Sequence, residues 1–181
     1  VNGNIQRDDG MLKSNDINYQ KISLRSNLSA QLTDDIRANV NFALSSDKRT
    51  GPSTGIHEIQ RGVISIWPSR PVYANNNPAY FNRTQDGQAL NPVAISYSDY
   101  VGYNESNNDG TQTSVELIWV APFLEGLSFR GFTAYDKNAI LDKSLSKNYF
   151  MYDYDVDTDS YVSTAFNFPT RITQNNYNTT F

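Results

Sequence analysis

Apolar and polar side chains alternate with a period of two along residues 21–45. The apolar side chains share the even positions, which hold Ile22, Leu24, Leu28, Ala30 and Leu32, then Ile36, Ala38, Val40, Phe42 and Leu44. Thr33-Asp34-Asp35 interrupts the alternation. Because successive side chains of a strand point to opposite faces, the pattern predicts two antiparallel strands joined by a tight turn. Each predicted strand has about 9–11 residues, the length that crosses a bilayer's hydrocarbon core at a tilt.

A second hairpin repeats this design further along the chain. Its apolar positions are Val115, Leu117, Trp119 and Ala121 before the turn, and Leu127, Phe129 and Tyr135 after it. The turn itself is predicted at residues 122–126, although Ile118, Val120 and Phe132 make the opposite face less polar. Residues 1–6 and 171–181 supply one further strand each, so that six strands are predicted.

The predicted connections are short at one end of the strands and long at the other. The long ones cover residues 8–18, about 46–110 and about 137–169. Compact soluble domains rarely contain connections beyond about 12–15 residues, whereas transmembrane barrels combine short turns with long outer loops. We therefore expect an all-β fold in which antiparallel strands over residues 1–181 form part of a large transmembrane β-barrel.

Aromatic residues are predicted near both ends of these strands. Trp119 and Phe123 flank the short turn, and Tyr19 and Tyr135 are placed at the other end. Such positions are typical of the aromatic girdles at membrane interfaces. Cross-strand aromatic packing in a soluble sheet is the alternative explanation.

Composition and charge exclude several classes of function. The chain has 181 residues, of which 13% are aromatic and 19% charged, with a formal net charge of −4 and no cysteine. Without a basic surface, nucleic acid is not an expected partner. His57 is the only histidine, so a histidine-based catalytic triad or a histidine-rich metal site is not available. No enzyme activity and no cofactor are expected.

Several short motifs resemble those of SusC/RagA-type TonB-dependent transporters of bacterial outer membranes. Residues 19–27 (YQKISLRSN) are similar to a tyrosine, basic, arginine and asparagine strand of that family. Residues 121–129 (APFLEGLSF) resemble its proline and glycine-leucine periplasmic turn. Pro71-Val72-Tyr73, Asn91-Pro92-Val93-Ala94 and Gly102-Tyr103 are similar, in that order, to markers of its long outer loop.

The resemblance implies energised import of oligosaccharides or peptides across a bacterial outer membrane. Its implied partners are a SusD-like surface lipoprotein that acts as a lid, outer-membrane lipid, and TonB. The plug domain and the TonB-contacting segment of the family find no counterpart in this sequence. The chain therefore corresponds to a segment of such a barrel.

The longest predicted loop combines aromatic rings with amides and carboxylates. Its rings include Trp67, Tyr73, Tyr80 and Tyr97, and its polar side chains include Asn75, Asn76, Asn77, Asn82 and Asp86. Flat rings offer apolar area to a sugar face, while amides hydrogen-bond its hydroxyls. These four aromatic residues are the candidate substrate-binding residues. The alternative is that the rings only pack the loop.

Asp153, Asp155 and Asp157 are weak candidates for metal ligands. Together with Asp159 they alternate along an extended segment and resemble the start of a calcium loop. The match ends there, since Thr158 and Thr164 stand where a glycine and a bidentate glutamate are needed. The sequence therefore favours a solvated acidic loop and no metal.

Two other classes of function compete with the transporter segment. In a soluble extracellular β-sandwich that binds carbohydrate, the same alternation would separate core from solvent. A degradative enzyme domain is disfavoured, because paired carboxylates such as Asp34 and Asp35 sit in a tight turn. The sandwich and the barrel differ in what the apolar face contacts.

Overall fold

The computed structural model describes residues 1–83, 91–166 and 169–181, and its fold is all-β as predicted. The strands are β1 (Asn2–Asp9), β2 (Asn18–Thr33), β3 (Ile36–Pro52), β4 (Gly102–Val120), β5 (Ser128–Ser146), β6 (Tyr149–Asp155), β7 (Ser160–Phe166) and β8 (Thr170–Thr180). Two helices, α1 (Gly55–Ser65) and α2 (Ser98–Val101), and two short 3-10 turns lie between β3 and β4.

Six of the strands form one antiparallel sheet in the order β1-β2-β3-β4-β5-β8, and β6 and β7 form a separate hairpin. The two predicted hairpins and the two flanking strands are confirmed. Leu28 is opposite Val40 and Ala30 is opposite Ala38 around the turn at Asp34 and Asp35, as the alternation requires. The register therefore brings the apolar positions of β2 and β3 to one face.

The central strands are longer than the predicted 9–11 residues. β2 has 16 residues, β3 has 17, and β4 and β5 have 19 each. The predicted loops at about 46–110 and 137–169 shrink to residues 53–101 and 147–169. Beyond Ser45 both faces are polar, so the apolar alternation stops while the backbone ladder continues through pairs such as Asp47 with Asn108.

One face of the six-stranded sheet is apolar near the short turns. Its side chains form what we call the apolar band: Ile22, Leu24 and Leu28 on β2, Ile36, Ala38, Val40, Phe42 and Leu44 on β3, Val115, Leu117 and Trp119 on β4, and Phe129 on β5. From Ile36 to Leu44 the band extends about 27 Å along the strand. Leu28 is 62% exposed, so this face is not covered.

Aromatic side chains lie at the short-turn end of the apolar band and beside its upper part. Trp119 stacks on Phe129 with 5.5 Å between ring centroids, near the short turn, and Tyr135 meets Phe181 at 5.4 Å further up the same face. Tyr19 lies at the end of β2 away from the short turn, as predicted, whereas Tyr135 lies in the middle of β5 and not at a strand end. Tyr19 lies on the polar face beneath the guanidinium of Arg49, because an odd position on β2 faces away from the band.

The hydrophobic core lies outside the six-stranded sheet, in the long connections. We call it the loop core: Ile59, Ala94, Ile95, Val101, Tyr149 and Met151, with Leu12, Phe81, Tyr100 and Phe166 packed against them. All three long connections contribute, since Leu12 precedes β2, Ile95 precedes β4 and Met151 lies on β6. In contrast, β1, β2, β5 and β8 contain no buried residue within the described parts of the chain.

Candidate functional site

A hydrogen-bonded network of side chains crosses four strands on the polar face of the sheet. Ser29 on β2 donates to Asn39 on β3 at 2.6 Å, and the Asn39 amide donates to Glu116 on β4 at 2.7 Å. Glu116 also pairs with Arg130 on β5. The strand register makes this network possible, because it places all four residues on the face opposite the apolar band.

A shallow groove of about 430 Å³ lies beside this hydrogen-bonded network on the polar face. Its hydrogen-bonding side chains come from four neighbouring strands: Arg25, Asn27, Asn41, Gln112, Ser114 and Asp136. Amides, a guanidinium and a carboxylate together can donate to and accept from sugar hydroxyls or peptide groups. The groove is thus chemically suited to a polar ligand, and no single residue type dominates it.

A second groove, of about 460 Å³, lies where the sheet meets α1. Ile17, Ile56 and Ile172 give it an apolar lining, and Arg49 and Asp142 add charges of opposite sign. Apolar walls with a few convergent polar groups are typical of small-molecule sites. Both grooves open on the polar face, so a ligand that moved along this face would meet one after the other.

Three of the four predicted substrate-binding residues are involved in ring packing. Tyr73 and Tyr97 both meet Phe81, at centroid distances of 5.4 and 6.3 Å, and Phe81 packs against the loop core. Tyr80 lies elsewhere. Trp67 follows the end of α1 and is 60% exposed, apart from this group. The structure therefore joins Tyr73 with Tyr97 and does not bring Trp67 to them.

Tyr80 belongs to a cluster of tyrosines on the β6–β7 hairpin. It stacks on Tyr161 at 4.1 Å and meets the edge of Tyr152 at 4.8 Å, and Tyr154 lies 5.2 Å from Tyr161. Asn77 donates to the hydroxyl of Tyr161 at 3.4 Å. The cluster is half-buried, and the Tyr154 hydroxyl donates to the Asp159 carboxylate at 2.6 Å.

The three candidate metal ligands do not converge. Asp153 forms an ion pair with Arg83 at 2.7 Å, and Asp155 accepts the backbone N–H of Asp157 at 2.9 Å. A hydrogen bond from Thr158, followed by that N–H, lowers the pKa of Asp155. No group of three or more metal-ligating side chains occurs in the described ranges. Asp155 therefore stabilises the turn between β6 and β7, while Asp153 connects β6 to Arg83. Asp86 lies outside the described residues.

Sequence analysis missed the structural importance of Asn91. Its side chain is fully buried, and its amide donates to the carbonyl oxygens of Val72 at 2.8 Å and Asn82 at 3.1 Å. Its side-chain oxygen accepts the backbone N–H groups of Val93 and Ala94. Asn91 therefore connects the motif at residues 91–94 to the motif at residues 71–73. The only feature of the sequence that pointed to Asn91 was its place in a motif that resembles the SusC/RagA outer loop.

Tyr149 makes the loop core sensitive to high pH. Burial raises the pKa of its hydroxyl to about 12. Because the folded state holds this proton more tightly than the unfolded chain, the stabilisation is complete below pH 10 and is lost as pH rises towards about 12. We expect the loop core to open over this range of pH. Tyrosinate absorbance at 295 nm measures the ionisation, and susceptibility to proteolysis measures the opening. Tyr149→Phe should reduce the pH dependence, and an unchanged profile would contradict this assignment.

Comparisons with protein-family models, with curated proteins and with solved structures find no match. In the described parts of the chain, no helix combines the length and the apolar character needed to cross a membrane.

Proposed function

We propose that this chain is a segment of an outer-membrane barrel of the SusC/RagA type, which imports oligosaccharides or peptides. In this proposal the apolar band contacts lipid and the polar face lines the lumen. The long connections lie outside the cell, where a SusD-like lipoprotein would cover them, and TonB would supply the energy. The bacterial outer membrane is the proposed location.

The observation that carries the proposal is the exposed apolar band. Burying one such side chain fully stabilises a protein by about 1.5–3 kcal/mol. Seven of its twelve side chains are 37–62% exposed, and leaving them in water would forgo about 5 kcal/mol or more, which is comparable to the whole stability of an ordinary domain. Something apolar must therefore cover this face, and the aromatic pairs on the same face favour lipid.

The distribution of charge across the sheet supports the same orientation. In the register rows from Ile36 to Phe42, the apolar face of β2 to β5 has no charged side chain. The opposite face has Arg37, Glu116 and Arg130 at the same height. Charged side chains are destabilising towards lipid and tolerated towards a lumen.

The alternative is a soluble, carbohydrate-binding β-sandwich. It is favoured by the half-buried tyrosine cluster around Tyr80, because aromatic rings at a surface can present apolar area to a sugar. A sandwich needs a second sheet against the apolar band, about 10 Å away. The hairpin of β6 and β7 packs instead into the loop core through Tyr149, Met151 and Phe166. The sandwich therefore needs a partner to cover the band.

Spin labels distinguish lipid from a protein partner on the apolar band. The chain lacks cysteine, so single labels can be attached after Leu28→Cys or Val40→Cys, with Asn41→Cys as the control on the polar face. In lipid vesicles, we expect labels at 28 and 40 to be more accessible to oxygen than to a water-soluble nickel chelate. The label at 41 should show the reverse. Protection of positions 28 and 40 from both reagents would favour the sandwich.

A further inference from the structure

Three lysine side chains lie on the apolar face of the sheet, at and beyond the end of the apolar band that is away from the short turns. The ammonium groups of Lys48 on β3 and Lys143 on β5 flank Glu105 on β4, at 2.9 and 3.5 Å from its carboxylate oxygens. Lys137 lies two residues beyond Tyr135 on β5, in the register row of Leu44. These three lysines, which we call the basic belt, therefore begin where the band ends.

The register places two arginines on the same side of the sheet. Arg7 is in the row of Lys48, and Arg171 is one row beyond Lys143. Three acidic side chains occur among these rows, namely Asp9, Glu105 and Asp109. Each of them is engaged, since Asp9 pairs with Arg7, Glu105 with the lysines, and Asp109 with the Ser46 hydroxyl at 2.6 Å. The excess charge of this region is therefore positive, although the whole chain has a net charge of −4.

The lysines remain accessible despite their contact with Glu105. The side chains of Lys48 and Lys143 are 48% and 43% exposed. An ammonium group has three N–H donors, and the contact with Glu105 occupies one of them. Glu105 thus holds the two ammonium groups close together, while their remaining donors can serve a second anion.

We propose that Lys48, Lys137 and Lys143 bind the phosphomonoester groups of membrane lipids. This inference rests on the proposed function, because only a lipid-facing apolar band brings headgroups to this height. Lys48 is four residues beyond Leu44, about 14 Å along a tilted strand, and its flexible stem can reach back towards the interface. Clusters of lysine and arginine next to a membrane attract anionic headgroups.

The experiment measures lipid selectivity with spin-labelled lipids. The full chain is reconstituted in phosphatidylcholine vesicles with trace spin-labelled phosphatidic acid or spin-labelled phosphatidylcholine, and the motionally restricted fraction of each label is compared. We expect phosphatidic acid to associate about fivefold more strongly than phosphatidylcholine. The triple variant Lys48→Gln, Lys137→Gln and Lys143→Gln should reduce this ratio to near one. Lys21→Gln, on the polar face, is the matched control and should leave it unchanged.

Several results would overturn the inference. The ratio could remain in the triple variant, it could fall equally in Lys21→Gln, or inorganic phosphate at millimolar concentration could abolish it, which would indicate a site for the free anion. If neither label is motionally restricted, the chain has no lipid-facing surface and the proposed function fails as well. Restriction without selectivity would overturn the basic belt alone.

Discussion

Gly102→Ala is expected to lower the free energy of unfolding by at least about 3 kcal/mol. Gly102 starts β4 with φ 99°, which side-chain-bearing residues rarely adopt. A Cβ at this position would lie 1.8 Å from the carbonyl oxygen of Leu145 on β5. The backbone of β5 cannot retreat easily, because Lys147 donates to the Val101 carbonyl at 2.9 Å next to it. Denaturant titration of the chain refolded in detergent measures the effect.

Two other glycines separate the contributions of backbone conformation and of steric clash. Gly126 has φ 84° but no atom within 4 Å of an added Cβ, so Gly126→Ala should cost about 1 kcal/mol. Gly131 lies within β5 with open space around it, so Gly131→Ala should leave stability unchanged or slightly raised. If all three variants lose equal stability, the close approach of β4 to β5 at Gly102 has no special role.

Asn91→Asp is expected to destabilise the connection between β3 and β4 by about 3–5 kcal/mol. The substitution keeps the shape of the side chain but removes both amide donors. A carboxylate would then face the carbonyl oxygens of Val72 and Asn82 in a fully buried site. Hydrogen exchange should increase at Val72, Asn82 and Ala94, while the amides of β2 and β3 near the short turn keep their protection.

The control is the same substitution at an exposed amide of the same connection. Asn76 is exposed, and Asn76→Asp should leave exchange unaltered. Asn91→Asp should also regain part of its protection at low pH, because a protonated carboxylic acid supplies one donor again. Equal exchange in the two variants at neutral pH would show that the four hydrogen bonds of Asn91 do not hold the connection.

The sequence pattern is sufficient to predict the part of the sheet near the short turns. On residues 22–44 only one face is apolar, and a shift of one residue would move Leu28 and Val40 to the polar face. The pattern thus determines strand direction, turn position and register together. The same argument located β4 and β5, although Phe132 and Ile118 on the polar face weakened it.

The part of the sheet beyond Ser45, away from the short turns, could not be predicted in this way. From Ser46 to Arg49 every side chain is polar, so the pattern does not show which face each side chain occupies, and it predicts a loop there. The strand conformation of these residues depends on pairing with β2 and with distant residues of β4, such as Asn108, 61 positions from Asp47. Aromatic character alone predicts Tyr19 for a membrane-interface girdle, but its odd position on β2 places it on the polar face.

The candidate site was predicted only in part. Aromatic composition predicts Tyr73, Tyr80 and Tyr97 as ligand contacts, but composition cannot tell ring-to-ring packing, which all three show, from a free ring face. The grooves on the polar face were not predicted, because each collects side chains from several strands. Asn91 is similar, since its importance arises from the carbonyl groups of two distant segments.

The position of the loop core constrains the order of folding. Its residues are as far apart in sequence as Leu12 and Phe166. Bringing them together in an unfolded chain would therefore lose much conformational entropy through loop closure. Strand pairing shortens the distances first, because it brings the ends of β1 to β5 together. The loop core should consequently form late, as a slow kinetic phase that depends on prior hairpin zippering, and it should be the first part to be lost when pairing near Gly102 is disturbed.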